Sequence, residues 1–158
     1  LDRFMLRITL GYPTPEQELE IILGQETVHP IESIQPVATA EEIIDLQAAV
    51  KSVFVDDLIR QYIVSITHST RDHADLSLGS SPRGSLVLFR GAQATSLIRG
   101  RDFVLPDDVK ELAVPMLSHR IIVSAAARMR GIGGADVVRQ AVDQIPVPGA
   151  ETAGWFAR

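Results

Sequence analysis

The sequence predicts a mainly α protein, one short strand followed by a helical bundle, on three observations. Apolar residues recur at helical spacing through most of the chain. Two boxes, Thr14 with Gln17 and Thr39 with Glu42, mark helix starts, and Pro15, Pro82 and Pro106 stand where helices open. Period-two alternation opens the chain at residues 5–10 (MLRITL), closed by Gly11-Tyr12-Pro13.

The elements follow in order. Thr14 caps a helix whose apolar face is Leu19, Ile22 and Leu23, and Gly24 can stop it. Residues 27–38, with Pro30 and Pro36, read as a linker. Thr39 caps a second helix bearing Ile43, Leu46, Val50 and Val53. Asp56 or Asp57 caps a third, striped by Leu58, Tyr62 and Ile66 with Ile59 and Ile63 beside them. Residues 70–80 read as polar loop. Ser81 caps a fourth helix that starts at Pro82 and runs to about Ile98, ended by Gly100. After a short extended piece at 103–105, Pro106-Asp107-Asp108 opens a fifth helix, which Pro115 should kink or restart. A glycine turn at 130–134 precedes a last helix over about 135–144, and Pro146 and Pro148 lead into a disordered tail over 148–158.

Bulk composition narrows the function classes. There is no cysteine among the 158 residues, which excludes disulfide and thiolate chemistry and fits a reducing cytoplasm. No apolar run is long enough to span a bilayer, and the chain, lacking an initiator Met, reads like the tail of a longer protein. Net charge is −5 but uneven: residues 1–57 hold 3 basic and 11 acidic side chains (−8), and residues 58–158 hold 12 and 9 (+3). Within 81–130, seven of the eight basic residues are arginines, which suit bidentate phosphate contacts. Overall acidity and an aromatic content of 5% argue against a nucleic-acid binder.

Most motifs fail on spacing. Gly131, Gly133 and Gly134 are followed by Ala135-Asp136 rather than Lys and Ser or Thr, so they make a turn and not a phosphate loop. His29, His68, His73 and His119 lack ligand spacing, and no metal ligands are assigned. Gly79-Ser80-Ser81-Pro82-Arg83 is not a nucleophile elbow. Arg83 is different. A cation in a helix's first turn opposes the helix dipole by roughly 0.3–1 kcal/mol, and a bound anion would offset that cost. Arg90, seven residues on at nearly the same azimuth and about 10 Å further along, could widen the same patch. Arg3, in Leu1-Asp2-Arg3-Phe4, could equally be a surface ion pair.

Three segments in order, LDRFMLRITLGYP (1–13), LGSSPRGSL (78–86) and GRDFVLPDDVKELAVPMLSHRI (100–121), resemble the C-terminal part of a MoxR-type AAA+ ATPase, in the branch that includes magnesium-chelatase ATPase subunits. The resemblance runs to about Val147. It implies a helical-bundle AAA+ lid preceded by one short β-strand from the end of the ATPase core: residues 1–13 as that last strand, 14–38 as connecting helix and linker, and 39–147 as the lid. It implies that Arg3 is an arginine finger acting in trans on a neighbouring subunit, and that Arg83 is the sensor-2 residue meeting the nucleotide's γ-phosphate in cis. ATP and Mg²⁺ are the implied ligands, with the Walker A and B and sensor-1 residues upstream of Leu1, so this chain alone is expected to be inactive. A cytoplasmic ring (a hexamer), a von Willebrand factor A-type partner and a client protein to be remodelled complete the implication. Gly84 departs from the small helix former, such as Ala, often found there in the family. Asp2 could hold Arg3 or partly neutralise it. His119 and Arg120 lie in a family signature and receive only a helix-end contact. The competing reading is a non-catalytic helical module docking an acidic partner through its arginines.

Overall fold

The computed structural model describes residues 2–26 and 29–149. Leu1, two residues of the expected linker and residues 150–158 of the expected tail lie outside them. The described residues form two compact units, one within 8–47 and the other of residues 2–7 with 48–149.

The smaller unit contains α1 (Pro15–Leu23), a 3-10 turn (Pro30–Ser33) and most of α2 (Ala40–Ser52). Both threonine boxes close as the sequence predicts. Thr14 N–H donates to Gln17 Oε1 at 3.0 Å while Thr14 Oγ1 accepts from Gln17 N–H at 3.3 Å. Thr39 and Glu42 repeat the exchange at 2.7 and 3.2 Å. Each box satisfies two helix-end groups that would otherwise have no partner.

The larger unit is a helical bundle: α3 (Asp57–Ser69), α4 (Pro82–Ile98), α5 (Pro106–Leu117), α6 (Ala125–Met129) and α7 (Gly134–Gln144). Its core joins Ile59, Ile63 and Ile66 of α3 with Leu88 of α4, Val109, Met116 and Leu117 of α5, and Val137 and Val138 of α7. Asp56 caps α3 by accepting from Leu58 N–H at 2.8 Å. Among the described residues, no helix is long and apolar enough to cross a membrane.

The mainly helical expectation holds, but the sheet lies elsewhere. Residues 6–14 form no ladder, because a strand is satisfied only by a neighbouring backbone and here Arg7 N–H donates instead to Pro115 O at 2.8 Å. Two short strands absent from the sequence reading, β1 (Leu76–Leu78) and β2 (Ile122–Val123), pair antiparallel with a bulge. They are three and two residues long, too short to show periodicity. Nor does Pro115 restart α5, which runs through it unbroken. It stands in the last turn, where only the carbonyl of the exposed Glu111 loses a donor.

One buried carboxylate organises the α4–α5 junction. Asp108, fully buried, accepts from Ser96 Oγ (3.0 Å), Arg99 Nη1 (2.8 Å), both terminal nitrogens of Arg101 (2.9 and 2.6 Å) and Leu105 N–H (2.9 Å). Burial would raise its pKa, but Arg101, the Leu105 amide and Ser96 outweigh it and hold the group at about 2.

Candidate functional site

The turn before α4 is built to hold one backbone path. Its Gly79 passes so close to the end of α3 that a Cβ there would lie 2.5 Å from Arg71 Cα and 2.6 Å from Thr70 O. Ser80 N–H then donates to Thr70 Oγ1 at 2.9 Å, and that hydroxyl donates onward to Thr67 O at 2.6 Å. Arg71 Nε donates to Ser80 O at 2.9 Å, and Thr67 and Ser85 share a hydroxyl contact of 2.7 Å across α3 and α4. Thr67, Thr70 and Ser80 are all buried, so each of these bonds would be costly to break.

Arg83 rises from this fixed base. Pro82 sets the entry to a helix of 17 residues, yet Ser81 makes no side-chain cap and its hydroxyl, though buried, is unbonded. The first turn of α4 therefore lacks the side-chain cap that Thr14 gives α1. Arg83 is exposed and makes no ion pair or side-chain hydrogen bond within the described chain. An unengaged guanidinium beside an uncapped helix N-terminus suits a phosphate oxygen. Gly84, which looks like a weak first-turn residue in sequence, has a packing reason. It is buried, and a Cβ there would lie 2.0 Å from Ser80 Oγ and 3.1 Å from Leu117 Cδ2.

Arg90 is engaged locally. Its Nη1 donates to Gln93 Oε1 at 2.9 Å, and its guanidinium carbon sits 5.4 Å from the Phe89 ring centre. Gln93 in turn donates to Val53 O at 2.8 Å.

Arg3 occupies a turn docked on the end of α5. Asp2 neither holds nor neutralises it: that carboxylate pairs with Arg120 Nη1 at 2.6 Å. Arg3 is exposed and, like Arg83, has no side-chain partner among the described residues. Arg120, given only a helix-end contact by the sequence, donates to Met116 O (2.8 Å), Asp2 O (2.6 Å) and Phe4 O (2.5 Å). Sequence spacing could not reveal this link, because its partners are 118 and 116 residues apart. No group of three or more His, Cys, Asp or Glu able to hold a metal occurs among the described residues.

Residues 68–141 match the AAA lid domain family. Chaperone MoxR1 of Mycobacterium tuberculosis is 32% identical over 156 residues, aligning with 93% of this chain and 41% of its own. The chain carries the AAA lid of the MoxR family. YeaC of Bacillus subtilis is 43% identical over 148 residues, covering 94% of this chain and 46% of its own length. The crystal structure of a presumed ATPase from Cytophaga hutchinsonii superposes with a TM-score of 0.83 at 26% identity, over 92% of this chain and 47% of that one. The chain thus spans about half the length of the relatives it matches. The lid match contains Arg83, Arg90 and Arg120, whereas Arg3 lies before it.

Proposed function

We propose that this lid serves a cytoplasmic AAA+ ATPase of the MoxR type, and that Arg83 contacts the γ-phosphate of bound ATP in cis. The observation that carries the reading is Arg83 itself: a free cation on an uncapped 17-residue helix, aimed by a turn that buried hydrogen bonds lock in place. ATP would draw the lid down through a charge-assisted contact, and loss of the phosphate would release it. Arg90 extends the positive face of the same helix. Arg3 would act in trans, stabilising charge on the transferred phosphoryl group of a neighbouring subunit.

On this reading the groups that hold the β-phosphate and Mg²⁺ and that position water belong to the rest of the full-length protein, and the isolated chain turns over no ATP. Lid motion in a ring, a hexamer, would drive chaperone-like remodelling of a client protein, with a von Willebrand factor A-type partner. The relative named as a chaperone supports this wider role.

The test is ATP turnover by the full-length protein, wild type against Arg83→Ala. The variant should lose at least about tenfold, some 1.4 kcal/mol of transition-state stabilisation. Its folding stability should stay within about 0.5 kcal/mol of wild type, because an exposed side chain with no partner leaves nothing unsatisfied when removed. Equal turnover in both proteins would refute the phosphate contact and favour a docking role for the arginine face.

A further inference from the structure

Arg120 combines a buried charge with an unusual choice of partners. Its side chain is 0% exposed, and a guanidinium is costly to bury unless its donors are satisfied. Only Nε serves the preceding helix α5, donating to Met116 O at 2.8 Å. Both terminal nitrogens reach the segment around Arg3: Nη1 to Asp2 O and Asp2 Oδ1, each at 2.6 Å, and Nη2 to Phe4 O at 2.5 Å. His119 Nε2 adds a contact to Phe4 O at 3.0 Å. Arg7 N–H closes the far side on Pro115 O at 2.8 Å. The backbone is thus held immediately before and after Arg3, while the Arg3 side chain is left free.

We propose that Arg120 is the positioning residue for Arg3. The inference rests on the reading of Arg3 as a finger that acts in trans. Two physical points carry it. Residues 2–7 have no helix or ladder of their own to stiffen them, so their placement rests on outside contacts, most of which, among the described residues, come from Arg120. The charges are also allotted in a telling way. Asp2 neutralises the buried Arg120, which leaves the positive charge of Arg3 unspent for a neighbouring phosphate. The fork matters as much as the charge. Four acceptors on Asp2, Phe4 and Met5 are reached by two nitrogens in a fixed plane, a pattern that the single ammonium of lysine cannot reproduce.

The experiment is a double-mutant cycle on ATP turnover by the full-length protein, using Arg3→Ala, Arg120→Lys and the pair. A residue acting only through Arg3 has nothing left to do once Arg3 is gone. Arg3→Ala and Arg120→Lys should each lower kcat by at least about tenfold. The KM for ATP should stay within about twofold of wild type, and the double variant should be no slower than the slower single. Asp2→Asn, which spares the backbone acceptors, is the gentler probe if Arg120→Lys does not fold. It should lower kcat by a smaller factor and be silent in the Arg3→Ala background. Factors that multiply in either double variant overturn the inference, as does an unchanged kcat in the folded Arg120→Lys, or in Asp2→Asn where that probe replaces it, beside a defective Arg3→Ala. In those cases the finger reading still stands. An unchanged kcat in Arg3→Ala refutes the finger reading itself, and the inference falls with it.

Discussion

Gly84→Ala should destabilise this lid although alanine is the better helix former. The propensity gain is at most about 1 kcal/mol, and less in a first turn. Against it stands a steric cost that can be read from the packing. The new methyl would lie 2.0 Å from Ser80 Oγ and 3.1 Å from Leu117 Cδ2, and both neighbours are buried. Forcing a methyl into such a site costs about 1–3 kcal/mol, so the net loss should be about 1 kcal/mol. The hydroxyl causes most of it. In Ser80→Ala the remaining neighbour atoms are Leu117 Cδ2 at 3.1 Å and Ser80 Cβ at 3.3 Å from the same point, contacts that a shift of a few tenths of an ångström relieves, and the only side-chain bond lost is a weak 3.4 Å one to Ser81 O. Ser80→Ala alone should therefore be nearly neutral, and Ser80→Ala/Gly84→Ala should return to wild-type stability or better, a coupling of about 1–2 kcal/mol. Urea unfolding followed by helical circular dichroism measures this. With m near 2 kcal/mol/M, the single Gly84→Ala midpoint falls by roughly 0.5 M at constant m. A Gly84→Ala midpoint at or above wild type, or additive effects in the pair, would refute the close approach on which the argument depends.

Two further perturbations follow from the same packing. Gly79→Ala should be severely destabilising and Gly91→Ala much milder. The Cβ at 79 would meet fixed backbone of residues 70 and 71 at 2.5–2.7 Å, whereas at 91 it would meet the flexible end of Met116 at 2.3 Å; thermal unfolding of the two variants ranks them. For Asp108, the folded pKa of about 2 lies below the ordinary 3.8, so the unfolded chain binds the proton more readily. Its contribution, about 2 kcal/mol, is complete above about pH 4 and is lost as pH falls through 2. Urea midpoints measured from pH 6 to pH 2 should show a drop in wild type that is smaller by that amount in Asp108→Asn.

How much of this was legible in the sequence depended on the range of the interaction that sets each feature. The helix starts at Thr14, Thr39 and Asp56 were legible because caps act within three residues, that at Pro82 because proline favours a helix's first position, and the stripe of Ile59, Ile63 and Ile66 because helical burial repeats locally. Arg83 could be singled out because the cost of a cation in a first turn is also local. The strands β1 and β2 were not legible, since Leu76 meets Val123 across 47 positions and neither strand is long enough to carry a pattern. Residues 5–10 had the alternation of a strand but, among the described residues, no partner strand to complete a ladder. Gly84 looked like a weakness because helix propensity takes no account of packing, whereas its reason is the buried Ser80 hydroxyl, on a backbone held by Thr70 at the end of α3, with Leu117 of α5 behind it. The anchor on Arg3 is the extreme case: a bond between residues 2 and 120 leaves no signature in spacing.

The proposed sites of Arg83 and Arg3 are both referred to one short piece of structure, the last turn of α5. Leu117 lies against the place where a Gly84 side chain would begin, and Met116 fills the corresponding space at Gly91. On the other side, Met116 O and Pro115 O receive the bonds from Arg120 and Arg7 that dock residues 2–7. Packing this tight leaves α4 little room to slide along α5, because either glycine position would have to open a void or close on an atom already there. Any displacement of Arg83 that preserves the packing therefore carries α5 with it, and with α5 the turn that presents Arg3. If Arg83 holds a phosphate as proposed, a pull on it would reposition Arg3, and weakening the α4–α5 contact at Gly91 should loosen that coupling without touching either side chain.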